Sequence, residues 1–423
     1  MRLSGMKRLS CAAIWFAVTG QMVAQAPQPI VHWVGSWAAS QQVPETGNLL
    51  DPELMRDATL RQVVHLSVGG SQLRVRLSNA FGTQPLNLTS VHVARPLEQT
   101  SAAGGSAIDV ASDRAVTFHG AADVTIPAGA EYLSDAVALP MAALSNLAIS
   151  IHFDRPPMGE TGHPGSRATS YFAHGDLVSA VSLPDAKTVE HWYQVSGVDV
   201  AGPEKAATVV TLGDSITDGH GTTTNGNARW PDVLAGRMQA DKSTRMMGVL
   251  GVLNEGIGGN RLLLDGLGPN ALARFDRDVV AQTAVRAVIV LEGVNDLGTL
   301  TREHDVSAEE HAALVGRIEA AYTQMIERAH AHGIRAIGAT ILPYGGSGYY
   351  HPGPESEADR QAINAWIRAA EHFDGVVDFD QVTRDPQHPD RLLPAYDSGD
   401  HLHPGPAGYK AMGDAIPLTL LTR

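Results

Sequence analysis

A chain of 423 residues with 31 Lys and Arg against 45 Asp and Glu carries a formal charge of −14 at pH 7. No Lys/Arg cluster offsets that balance, which argues against nucleic acid or an anionic membrane surface as partner and for small-molecule or glycan substrates, neutral ones in the first instance. The only cysteine, Cys11, lies in an N-terminal leader, so thiol nucleophiles, disulfides and Cys-ligated metals are together excluded from the mature chain.

The leader comes first. Arg2, Lys7 and Arg8 form a positive start, Leu9 to Val18 is mostly apolar, and Ala24-Gln25-Ala26 offers a small-x-small cleavage site. This pattern predicts a signal peptide over residues 1–26 and a secreted or periplasmic protein. The apolar run is shorter than the roughly 20 residues that span a bilayer, so no stable membrane insertion is expected after cleavage.

Residues 27–200 read as an antiparallel β-sandwich. Gln72 to Ser78, Val91 to Val93 and Leu147 to Phe153 alternate apolar and polar residues, which puts one face of each strand on a core. Gly69-Gly70, Phe81-Gly82 and Pro127-Ala128-Gly129 punctuate them as turns. A linker is expected around Asp199 to Lys205.

From 201 to 423 the period changes. Ala207–Leu212, Gly248–Leu253, Ala287–Leu291, Ile334–Leu342 and Val376–Phe379 are apolar runs suited to strands buried on both faces. Between them, Trp230–Gln239, Ala308–Ala331, Asp359–His372 and a segment from Pro406 read as helices. Alternating strands and helices predict a parallel sheet covered on both sides. Ligands of such sheets collect at the carboxyl ends of the strands.

Polar clusters follow several of the strands. Gly213-Asp214-Ser215 succeeds the first strand, Asn254 to Asn260 the second, and Glu292-Gly293-Val294-Asn295-Asp296 the third. After the last strand a long loop carries Asp400-His401-Leu402-His403-Pro404. Together they supply a hydroxyl nucleophile, a base, a carboxylate to orient the base, and hydrogen-bond donors for an oxyanion. Ser215, His403 and Asp400 are the candidate catalytic residues. His401 competes with His403, and Asp397 with Asp400, but the three-residue spacing favours Asp400 with His403. Asp214, Asp218 and Asp296 read as structural turn and cap residues. Arg229 and Trp230, at a helix start near the strand-end face, are candidate substrate contacts. His330, His332, His351 and His388 lack ligand spacing and read as surface groups; no metal and no cofactor is expected.

These blocks resemble those of the SGNH hydrolases, also called GDSL esterases, over about Ala207 to the C-terminus. The resemblance implies Ser215 as nucleophile, Gly259 and Asn295 with the Ser215 N–H as oxyanion hole, and Asp400 and His403 as the remaining triad members. Ile216 stands where the family name has leucine, an apolar exchange. The fold implied is a flavodoxin-like α/β/α sandwich. Val34 to Ala38, Leu73 to Asn79 and Arg360 to Asn364 are similar to phrases in a secreted subgroup with an N-terminal β-sandwich. A jelly roll before such a domain also occurs in some polysaccharide acetyl esterases. The resemblance therefore implies a secreted serine carboxylic-ester hydrolase for short acyl esters such as acetylated carbohydrates. The alternatives are an acyltransferase or a lipid or thioester hydrolase on the same fold, or a glycan-binding protein that uses the sandwich.

Overall fold

The computed structural model describes residues 31–97, 105–248, 250–304 and 306–422. The expected signal peptide lies outside them.

The period-two half forms two facing antiparallel sheets. One has the order Trp33–Ala38, Val195–Ala201, Leu73–Ser78, Glu131–Leu133. The other runs Lys187–Val189, Ser170–His174, Ala58–Leu66, Ser145–Phe153, Ser90–Pro96, Ile108–Ala115. Alternation does the sorting: Leu73, Val75 and Leu77 from the first sheet meet Leu147, Ile149 and Ile151 from the second in one core. Two short 3₁₀ turns, Thr46–Asn48 and Pro52–Met55, interrupt the strands.

The linker is shorter than composition suggests. Strand Val195–Ala201 runs through its expected start, because Val198 and Val200 are core residues and Asp199 is buried against Arg74 at 2.8 Å. Only 202–206 connect the halves.

The second half is a five-stranded parallel sheet: β1 (Ala207–Gly213), β2 (Leu250–Gly256), β3 (Val285–Leu291), β4 (Arg335–Ala339) and β5 (Gly375–Val377). Their spatial order is 2-1-3-4-5, the flavodoxin-like arrangement, with its switch point beside β1. β1 is buried at every position, as a central strand between helical layers must be. The helices that matter here are α1 (Ser215–Asp218), α2 (Trp230–Ala240), α3 (Val294–Thr301), α4 (Ala308–Ala331), α5 (Pro354–Arg368) and α6 (Pro406–Ala415). α4 begins where a capping box predicts, with Ser307 and Glu310 exchanging hydrogen bonds. α5 starts five residues before its expected position, at Pro354, since proline suits a first helical turn.

His32–Arg423 is one compact unit. The sandwich strand Trp33–Ala38 lies against β1 and β2, where the Gly35 N–H donates to Thr208 Oγ1 at 3.1 Å. The Val252 N–H donates to Ser67 Oγ at 2.9 Å. Among the described residues no helix is long and apolar enough to cross a membrane.

Candidate active site

Ser215 opens the one-turn helix α1 directly after β1. Asp214 caps it, its Oδ1 accepting the Ile216 N–H at 2.8 Å. Ser215 Oγ lies 2.8 Å from His403 Nε2, and His403 Nδ1 lies 2.6 Å from Asp400 Oδ2. Asp400 Oδ1 accepts the backbone N–H groups of Leu402 and His403 and the Ser398 hydroxyl, at 2.9, 2.8 and 3.0 Å. Partial burial acts to raise the Asp400 carboxyl, but its bonds from His403 outweigh this and hold it well below the usual carboxylate range. The three residues thus form a continuous hydroxyl–imidazole–carboxylate line.

The rival pair also forms, elsewhere. Asp397 Oδ2 meets His401 Nδ1 at 2.6 Å, and the His401 side chain is 55 % exposed. His403, by contrast, is 8 % exposed. Asp397 therefore orients the outer histidine, and only His403 reaches Ser215.

Gly259 and Asn295 face the same cleft as Ser215. Gly259 has φ +71°, a conformation that favours glycine, and a Cβ there would also displace the Leu267 side chain. Among the described residues neither the Ser215 nor the Gly259 N–H has an acceptor within the protein, which leaves both to a ligand. Asn295 sits in the first turn of α3 and is held from two sides. Its Nδ2 donates to Asn260 O at 2.7 Å, while Tyr350 Oη donates to its Oδ1 at 2.6 Å. The amide's remaining N–H is free for an oxyanion. Tyr350 can lie this close to α3 because residue 298 is glycine; a Cβ there would overlap the ring.

The flanking acids are structural. Asp296 accepts the N–H groups of Leu262 and Leu263 at 2.8 and 3.1 Å, pinning the loop that carries Gly259; burial pushes its carboxyl up to about 6. Beneath the strand ends, fully buried Arg274 donates to Asp278 at 3.0 Å, to Glu292 at 3.2 Å and to the carbonyls of Gly213 and Glu255 at 2.9 and 2.6 Å. Arg277 shares Asp278, at 2.6 Å, so Glu255 and Glu292 are the carboxyls left with least compensation. Burial, then the neighbouring acids, raise Glu255 and Glu292 well above the usual range.

Arg229 and Trp230 do not touch the cleft, which corrects the expectation for them. Trp230 is fully buried, packed edge-on to Phe379. Arg229 is spent on backbone carbonyls, donating from Nε to Asp218 O at 2.8 Å and from Nη2 to Ser166 O. An apolar ring and a cationic chain at a helix start are as useful for packing as for binding, and here packing takes both. His330, His332, His351 and His388 are exposed.

Several residues at the site carry no sequence signal. His163, in the sandwich, is buried and bridges Ser40 O at 2.8 Å and Asp218 Oδ1 at 3.0 Å; it ties the sandwich to the end of α1. His220 lies with its ring centroid 4.1 Å from that of His403. The ligand atoms of His220, Asp400 and His403 all lie within 4.8 Å of one another, but both His403 nitrogens are already engaged along the triad line. Tyr350 and His163 are each distant in sequence from the groups they hold, and no local pattern announces such pairs.

A cleft of about 850 Å³ surrounds Ser215 Oγ, with walls from both halves. An activated hydroxyl beside convergent N–H donors, at the carboxyl ends of a 2-1-3-4-5 sheet, defines a serine hydrolase of the ester-cleaving class. Residues 211–411, just under half of the chain, match the model of the GDSL-like lipase/acylhydrolase family; the chain carries a GDSL-like acylhydrolase domain, which makes it a serine esterase or hydrolase. Solved structures similar to it include the acetylxylan esterase Axe2 of Geobacillus stearothermophilus, 21 % identical, covering 52 % of this chain and 96 % of that one, with a TM-score of 0.38. A GDSL-like lipase of Bacteroides thetaiotaomicron is 22 % identical, covering 50 % of this chain and 87 % of that one, with a TM-score of 0.36. No curated protein matches the chain.

Proposed function

We propose that this is an exported hydrolase of short acyl esters of polar alcohols, carbohydrates foremost, working through an acyl-serine intermediate. The observation that carries the reading is the unbroken line Ser215 Oγ–His403–Asp400, which opens on a cleft whose lining residues are mostly of polar or charged type. A long acyl chain gains about 0.8 kcal/mol per buried CH₂ only where apolar walls receive it. Among the described residues the aliphatic lining is Pro164, Leu267 and Leu402, with Tyr349 and Tyr350 the aromatic rings besides histidine.

In this mechanism Ser215 Oγ attacks the ester carbonyl as His403 Nε2 takes its proton. Asp400 holds the imidazole by Nδ1–H and stabilises its positive form. The N–H groups of Ser215 and Gly259 and the Asn295 amide receive the oxyanion, each such donor being worth about 10²–10³ in rate. Collapse expels the alcohol, which leaves with the proton from His403. Water, activated by the same histidine, then releases the acid and frees Ser215.

The test is hydrolysis of p-nitrophenyl acetate and longer homologues by wild type and Ser215→Ala. Turnover that falls steeply beyond short acyl chains, and falls at least about 10³-fold in the variant, is the expected result. An inactive wild type, an unimpaired variant or a preference for long chains would overturn it. Export is tested by the N-terminus of the protein recovered outside the cytoplasm: a start near residue 27 is expected, and an intact Met1 there refutes leader cleavage.

A further inference from the structure

The cleft holds an arginine that the triad does not use. Arg167 follows the short sandwich strand Gly162–His163 and reaches across to the active site. Its Nη2 lies 3.3 Å from His220 Nδ1, and the His220 ring in turn lies against His403. Arg167 Nε is buried and unpartnered, and among the described residues no carboxylate pairs with its guanidinium. Arg261 and Arg302 line the same cleft, Arg302 paired with Glu303 at 2.8 Å. The acids there lie on other partners: Glu45 accepts from Gln42 at 3.0 Å and Asn48 at 2.6 Å, Asp218 from His163, and Asp400 from His403. A guanidinium without a carboxylate partner beside the triad, on a chain of net charge −14, runs against the neutral substrate that the overall charge suggests.

Position makes the charge informative. His403 becomes positive as it takes the Ser215 proton, and a guanidinium one ring away opposes that step. Bound next to Arg167, an anion would cancel the opposition. It would also lie where the alcohol leaves, since His403 delivers its proton to the alcohol oxygen. We propose that Arg167 forms a carboxylate subsite on the leaving-group side of the triad, so that the protein prefers esters whose alcohol itself carries a carboxylate, such as acetylated sugar acids. This rests on the esterase reading above, with the substrate class added.

The pair 4-acetoxybenzoate and methyl 4-acetoxybenzoate tests it, through kcat/KM for each with wild type, Arg167→Gln and Arg167→Lys. Comparing enzymes cancels the intrinsic reactivities of the two esters. A charge-assisted hydrogen bond is worth enough that the anionic-to-neutral ratio should fall about tenfold or more in Arg167→Gln, with part recovered in Arg167→Lys. If Arg167→Gln does not fold, wild type alone decides: rising salt should depress the anionic ester more than the neutral one. An unchanged ratio in a folded Arg167→Gln, or equal salt responses, overturns the subsite while neutral-ester turnover leaves the esterase reading intact. Failure to hydrolyse either ester refutes that reading, and the subsite with it.

Discussion

The two halves of this molecule bury charge in different ways. In the sandwich, fully buried Arg61 has backbone carbonyls as its main partners, those of Ser106, Leu177, Val178 and Ala180, with the Ser150 hydroxyl. It acts as a knot between loops. In the α/β half, Arg274 gathers carboxylates directly beneath the ends of β1 and β3. Parallel strands end together, so the loops that carry Ser215, Gly259 and Asn295 are crowded onto one edge, and polar groups must be buried to hold them there. The α/β half carries the atoms proposed to react; the sandwich braces them, through His163 on Asp218.

Substitutions can break that division of labour. After Ser215→Ala, the largest effect on rate is expected from Asp400→Asn, which should lower kcat by about 10²–10⁴ through loss of the histidine's orienting carboxylate. Asp397→Asn, four residues from the histidine it binds, should stay within about threefold on the same substrate. Comparable losses in the two would mean that both pairs serve catalysis.

On the bracing side, His163→Ala leaves the Asp218 carboxylate buried without its partner. Denaturant unfolding should show a loss of about 3 kcal/mol, while kcat of the folded fraction falls less than about tenfold. A variant as stable as wild type but nearly inactive would move His163 from brace to catalytic group. Tyr350→Phe tests the border between the two roles. Losing one hydrogen bond to the Asn295 amide should lower kcat roughly tenfold, with KM within about twofold and thermal stability little changed. A loss expressed in KM alone would make Tyr350 a substrate contact.

The smallest effect concerns Glu292. Its folded-state pKa is raised by burial and then by Asp214, so the protonated acid stabilises the fold below its unfolded pKa, and this is lost as pH rises through the raised value. Glu292→Gln copies the protonated form. Its stability should match wild type only below about pH 4 and exceed it increasingly as pH rises toward the raised folded value; parallel curves would show that Glu292 is ionised in the fold.

Sequence reading was strongest where one segment holds both the signal and its consequence. Capped α4 lies at its expected bounds, and Asp400 and His403 meet within one loop. The parallel sheet was legible from runs such as Ala207–Leu212, since a strand buried on both faces cannot alternate. What stayed hidden depends on contacts between segments far apart. Trp230 differs from a ligand-stacking tryptophan only in what surrounds it, and Tyr350 reaches Asn295 only after β4 and its following loop are in place. The linker is shorter than composition suggests because Asp199 reads as polar and exposed until Arg74 is brought beside it.

The pairing of Trp33 with Ala201 sets the order in which this protein can assemble. The first strand of the sandwich has its hydrogen-bonding neighbour at the far end of that half, so during synthesis it waits as an unpaired edge until nearly half the chain has emerged. Contacts of such long sequence separation close slowly, and a waiting edge strand invites association with other chains. The same strand supplies part of the floor for β1 and β2. Shortening the protein from its N-terminal side would therefore withdraw support from the α/β half as well, and a catalytic fragment beginning near residue 203 would start life with an exposed apolar face.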